Sequence, residues 1–460
     1  MKLDDLRKKY PVFIYQGFET NLIKEGLEIS FSFSIEPGIS FNPKVIIKQV
    51  TPEKLEGVEK GVIDNFAFHL GLIEIPSYWK VTCSPQIVVS TGSLDSYQID
   101  WWTDLLLKGM GQFFYENKIN FKKKNFVRFL ADNTSKKIKG KAHVQGNGIL
   151  IPLGGGKDSA LTTQLLGRNF PGRGAFILKS IGVRSNIEPS IQMAKKGKLK
   201  DLVLIERVFD RKLFELNKKG FLNGHTPFSA YLAFLSVLCG YIFKYKNVAF
   251  SNEKSSNEEN IKYLSKSINH QYTKTFEFEE KFREYNKEFL SNINYFSFLR
   301  PLYEIQIAKI FSHYPKYFNI VRSCNVGIKQ NSWEWCSRCS KCLSTFILLY
   351  PFFEPKRILQ VFPGNLYKDE SLFPLLDSLV SPEKVKPFEC VGTREELKIG
   401  LYLSMKKNIK QPILLAMARE KYLSKEKNWE KRTEKVLNNW DKNNNLSPYF
   451  QNILKRALYG

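Results

Sequence analysis

A chain of 460 residues exceeds what one core supports, so two or three domains are expected, and with 43% hydrophobic and 14% aromatic content disorder is not indicated. Its formal charge of +25 attracts phosphate whatever the fold, yet the lysines are scattered, as in Lys122-Lys123-Lys124, Lys195-Lys196 and Lys406-Lys407. Seven cysteines in so long a chain do not make a disulfide scaffold.

Met1-Lys2-Leu3-Asp4-Asp5 is acidic and no apolar core follows it, so no secretory leader is expected. The longest apolar run, Tyr231 to Phe243, is too short to span a bilayer. A cytoplasmic protein without membrane association is expected. Nucleic acid is disfavoured as a partner, although the basic charge leaves it open.

Residues 1–145 read as an α+β domain. Leu27 to Ile35 alternates apolar and polar residues, as a half-buried strand does. Val45-Ile46-Ile47 and Gln86 to Ser90 offer further strands, with helices near Asn65–Leu72 and from about Asp100 to Tyr115. From Gly148 the pattern changes to short apolar strands separated by longer helical stretches, which implies an α/β fold with a parallel sheet flanked by helices over residues 146–390. Its strands are Ile149–Leu153, Ala175–Leu178, Leu202–Ile205 and Val248–Phe250, with a long apolar helix from Phe228 to Lys244. A helical, basic segment completes the chain over residues 391–460.

The first of those strands runs into Gly154-Gly155-Gly156-Lys157-Asp158-Ser159. Three glycines allow a tight turn that brings several amide N–H groups to one anion. Asp158 and Ser159 can cap the following helix, and Lys157 can charge a phosphate oxygen. A Walker loop needs Ser or Thr directly after Gly-Lys, and Asp158 breaks that pattern. A dinucleotide fingerprint needs G-x-G-x-x-G, which is absent at this turn. The six residues instead resemble the loop of N-type ATP pyrophosphatases, the PP-loop enzymes of adenine nucleotide alpha hydrolase type. That resemblance implies ATP, cleaved to AMP and pyrophosphate, with Mg2+ as companion.

Cys324, Cys336, Cys339 and Cys342 stand at C-x11-C-x2-C-x2-C spacing. Four thiolates so placed can surround one tetrahedral ion, and structural Zn2+ fits that donor set best. An iron–sulfur cluster and a metal-free set of thiols are the alternatives. Trp333 and Trp335 beside them read as packing residues.

Ser77-Tyr78-Trp79-Lys80, Trp101-Trp102, Gly224-His225-Thr226-Pro227-Phe228-Ser229-Ala230, Ser251-Asn252-Glu253-Lys254-Ser255, Asn269-His270-Gln271-Tyr272, the cysteine run and Cys390-Val391-Gly392-Thr393 together resemble the MurL family of UDP-N-acetylmuramoyl-L-alanyl-L-glutamate epimerases. The resemblance spans about Phe66 to Leu403. It implies a UDP-muramoyl dipeptide substrate whose terminal L-glutamate is inverted in peptidoglycan precursor synthesis. ATP would activate the glutamate carboxylate as an acyl-adenylate, so that loss of the Cα proton is no longer opposed by a full negative charge. A PP-loop enzyme that thiolates tRNA or builds a deazaguanine is the alternative.

Proton carriers are then needed at the two faces of Cα. Glu253, His270, His225 and Glu279 are the candidates, and Glu253, just beyond a strand end, also suits a magnesium ligand. Cys324 is a further thiol candidate, for which metal binding is the stronger role. Arg184 and Arg322 could pair with the diphosphate or the glutamate carboxylates, though nothing singles them out.

Overall fold

A computed structural model describes residues 2–131, 138–167, 169–183, 185–329 and 334–460. Arg184 and Trp333 lie outside the described residues. The alternating run from Leu27 falls in β2 (Gly26–Glu36), whose apolar residues point inward at every second position. The remaining strands are β1 (Val12–Ile23), β3 (Ile39–Phe41), β4 (Lys44–Lys48), β5 (Gln86–Val89), β6 (Arg128–Ala131), β7 (Ile149–Pro152), β8 (Arg173–Ile181), β9 (Asp201–Val208), β10 (Asn247–Phe250), β11 (Ile261–Tyr263), β12 (Lys266–Ile268) and β13 (Asn294–Ser297). β1, β6 and β13 carry no clean alternation and are not evident in the sequence.

Eleven strands form one sheet in the order β13-β10-β7-β8-β9-β4-β2-β1-β5-β6, with β3 beside β2. From β13 to β9 all neighbours are parallel. β4 pairs antiparallel with β9, from Lys44 opposite Val208 to Ile47 opposite Ile205. The sheet therefore crosses residue 145 without a break, and what changes there is strand direction. The result is a mixed α/β architecture, with helices on the large sheet and a helical C-terminal region. Among the described residues no helix is long and apolar enough to cross a membrane.

The helix Lys60–Trp79 buries residues on all its faces, as a helix enclosed on every side must. It carries one charged group into this environment. Glu74 receives Arg207 of β9 through Nε at 3.1 Å and Nη2 at 2.6 Å, and Nη2 also reaches Ser77 Oγ at 2.8 Å. The guanidinium lies 4.3 Å from the Tyr231 ring. Trp102 is equally enclosed: its indole N–H, His69 Nε2 and Gln98 Nε2 each meet the Tyr285 hydroxyl at 3.0 Å. The paired tryptophans of the sequence motif are core residues.

β7 is the strand at which the parallel half changes its winding direction. The chain leaves it for β8 and β9 on one side, then returns through the helix Phe228–Ile242 to β10 on the other. Crevices at the carboxyl ends of strands form where the order reverses in this way. Both the glycine turn after β7 and Glu253 after β10 stand at that crevice.

Arg207→Ala would strand the Glu74 carboxylate in the core and is expected to cost about 3–5 kcal/mol, read from urea denaturation. Replacing both partners with Arg207→Met and Glu74→Leu should recover most of that loss, because no charge is then left buried.

Candidate active site

The turn after β7 is held in a left-handed conformation at Gly155, where φ is +79°. Arg322 N–H donates to Gly155 O at 2.8 Å, and a Cβ at Gly155 would meet Arg322 O at 3.3 Å. Only glycine satisfies both demands. The helix Lys157–Leu166 has Gly156 as its N-cap and no side-chain cap. The expected capping by Asp158 or Ser159 is corrected on this point. Both lie inside the first turn, and the Ser159 hydroxyl donates to Gly156 O at 3.0 Å. The first N–H groups of the helix are thus left without a side-chain acceptor, as an anion site requires.

Lys157 is only 3% exposed, and its Nζ lies 2.6 Å from Asp158 Oδ1 and 3.1 Å from Glu304 Oε2. Burial opposes its charge, but Asp158 and Glu304 outweigh that and raise its pKa. The ammonium is therefore engaged inside the protein and anchors the turn from behind. Burial also disfavours the charge on Glu304, yet Lys157 and Lys341 hold its pKa below the usual value.

In front of the turn lies a cavity of about 330 Å³. Gly154, Gly156, Asp158 and Ser159 form one side of it. Phe176, Leu178, Phe228, Leu232 and Phe250 form an apolar side, and Glu253, Lys274, Lys341, Glu389 and Cys390 close the rest. Glu253 is buried beside Glu304 and Asp158. Burial first, then those two charges, pushes its pKa up to about 8, so it carries a proton at neutral pH. Its backbone carbonyl accepts from Arg300 Nη1 at 2.8 Å and Ser256 Oγ at 2.6 Å, which fixes the segment.

His270 and His225 stand together, with ring centroids 4.6 Å apart. His270 Nδ1 meets Gln112 Oε1 at 2.5 Å, and the same ring hydrogen-bonds Cys390. Burial and the neighbouring His270 and Lys80 hold His225 down to about 3, so it is neutral. Glu279 is apart from these groups, in an ion pair of 3.1 Å with the fully buried Arg300. Sequence reasoning missed Lys274, Glu304, Lys341, Glu389 and Cys390. The available signals were the motif run that ends in Lys341-Cys342 and the segment from Cys390 to Thr393, which leads directly into a helix that Thr393 caps.

The four clustered cysteines converge, their sulfurs all within 4.8 Å of one another. Separations of 3.9 Å for Cys324–Cys339, 3.7 Å for Cys336–Cys342 and 3.5 Å for Cys339–Cys342 match the roughly 3.8 Å edge of a zinc–thiolate tetrahedron. Trp335 packs on Phe362, centroids 4.6 Å apart.

A model of the MurL N-terminal domain matches residues 4–298, and one of the MurL C-terminal domain matches residues 320–434. The chain belongs to the MurL family. It is similar to enzymes named UDP-N-acetyl-alpha-D-muramoyl-L-alanyl-L-glutamate epimerase. That of Xanthomonas oryzae pv. oryzae is 29% identical over 76% of each chain. That of Salinispora tropica is 30% identical over 71% of this chain and 70% of its own. A Micromonospora relative is 30% identical over 71% and 72%. The cavity joins the two MurL domains: the glycine turn, Glu253 and Lys274 come from the first, Lys341 and Cys390 from the second.

Because the folded-state pKa of Glu253 is raised from 4.5 to about 8, its contribution to stability is fully present below the unfolded value and is lost as pH rises through about 8. Relative to Glu253→Gln, the wild type should lose up to about 1.4 kcal/mol per pH unit across that window, measured by urea denaturation at several pH values.

Proposed function

We propose that this cavity carries out the ATP-dependent epimerisation of the terminal L-glutamate of UDP-N-acetylmuramoyl-L-alanyl-L-glutamate, with release of AMP and pyrophosphate. One cavity that joins an anion-binding turn to a protonated acid carries that assignment. The names of the MurL relatives supply the substrate class.

The residues present fit a nucleotide. Backbone N–H groups at Gly154 and Gly156 and the uncapped helix start suit the phosphates, and the apolar side of the cavity suits an adenine ring. Asp158, at the mouth of the turn, is the carboxylate best placed to accept a magnesium ion. When bound, ATP supplies the activated AMP ester of the glutamate carboxylate, as in a PP-loop enzyme. Lys274 and Lys341 then face the negative charge that gathers on the ester oxygen as the Cα proton leaves. Glu253 holds a proton for delivery to one face of Cα, and the buried surroundings that keep it protonated also exclude water.

The four cysteines would hold zinc in this scheme, as a structural ion. Ser323 and Asn325 flank Cys324, and Lys341 precedes Cys342, and all three line the cavity. The ion would fix one wall of the site without touching substrate.

Purified protein should release pyrophosphate with the UDP-muramoyl dipeptide and incorporate solvent deuterium at the glutamate Cα. Pyrophosphate release without deuterium, or release dependent on tRNA, would refute epimerisation. Lys157→Ala, which frees the turn from its anchor, should lower turnover by about a hundredfold or more. Metal analysis should find about one zinc per chain, lost in Cys339→Ser, with no visible absorption band.

A further inference from the structure

Three cysteines lie outside the metal cluster, and their surroundings differ. Cys83 and Cys239 are buried in the core, where burial pushes their pKa values up. Cys390 is only partly buried and faces the cavity. Lys274 Nζ stands 3.0 Å from its sulfur. Lys341 Nζ donates to the Cys390 carbonyl, and His270 hydrogen-bonds the sulfur, with Nδ1 already committed to Gln112. An ammonium so enclosed is costly unless its neighbour bears negative charge, and a thiol in such surroundings ionises.

We propose that Cys390, as a thiolate ion-paired with Lys274, is the base that removes the Cα proton, opposite Glu253. The assignment rests on the epimerase reading above. The thiolate takes the proton from Cα of the activated L-glutamyl group and becomes a thiol, while the C–H electron pair moves into the ester carbonyl as an enolate. Glu253, protonated, then returns a proton to the other face and becomes a carboxylate. One proton is removed and one is supplied, and exchange with solvent resets both groups.

The protonation states agree with these roles. Burial pushes the Cys390 thiol up, but Lys274, the His270 hydrogen bond and Lys341 outweigh it and bring the value to about 5, although Glu389 adds an opposing charge nearby. Glu253 lies at about 8. Two groups of one cavity shifted in opposite senses are the mark of an acid and base pair. Lys274, which both groups face, helps to set the charge of each.

Two measurements on the full-length protein test the proposal. In the first, iodoacetamide alkylation of Cys390 is followed by mass spectrometry against pH. A midpoint near 5 is expected, raised in Lys274→Gln, whereas an ordinary thiol midpoint of about 8.5 overturns the ion pair. The second reads deuterium incorporated at Cα per pyrophosphate released, a ratio that partial unfolding does not alter. Cys390→Ala should lower it by about a hundredfold or more, and a ratio within about threefold of wild type overturns the thiol as base. Wild-type epimerisation should rise through about pH 5 and fall through about pH 8. Wild-type protein that releases no pyrophosphate with the dipeptide nucleotide defeats the epimerase reading itself, an outcome distinct from failure of the variant alone.

Discussion

The site depends on one buried ion pair, Lys157 with Glu304. Its lysine begins the helix behind the glycine turn, and its carboxylate begins the helix Glu304–Phe311. At that same helix start, Ile305 N–H donates to Glu396 Oε1 at 3.0 Å, while Glu396 Oε2 accepts from Thr393 N–H at 2.9 Å. Thr393 lies three residues beyond Cys390. A connected set of contacts thus runs from the glycine turn to the helix that follows Cys390. Lys157, Glu304, Ile305 and Glu396 are buried, where solvent competes little for the partners.

This arrangement also explains how so many charges coexist in one cavity. Lys274 and Lys341 line it together with Asp158, Glu253, Glu304 and Glu389, Lys157 pairs with Glu304 from behind the turn, and Glu253 remains protonated. Glu304 takes the lysine contact and stays ionised, so Glu253 beside it does not. The overall excess of positive charge has no such pattern. It is spread over surface lysines, which is consistent with general attraction of anionic ligands more than with one nucleic-acid groove.

What could be read from the sequence was local. The glycine turn, the cysteine spacing and the strands from β7 to β10 announce themselves within a few residues of chain. Glu253 was legible because it directly follows a strand. Cys390, Lys274 and Lys341 were not, because no local rule brings residues 274, 341 and 390 together; topology does. The pairing of β4 with β9 was hidden for the same reason, since each strand alone reads as ordinary. The lysine of the turn was legible as a charge but not in its direction, which a carboxylate almost 150 residues further along decides. A side-chain cap was expected at a helix that begins on glycine, and that absence is itself what suits the turn to an anion.

The β4–β9 seam bears on how the protein comes into being during synthesis. The first 145 residues, once outside the ribosome, hold β4 as an open edge with its outer hydrogen-bonding groups unmatched. Its proper neighbour emerges only with residues 201–208, and the far border of the sheet, β13, later still. A nascent chain of this kind exposes a strand that can pair wrongly with another copy, and pauses in translation before residue 208 prolong that exposure. The order of elements along the gene thus makes early misassembly a hazard that the finished sheet no longer shows.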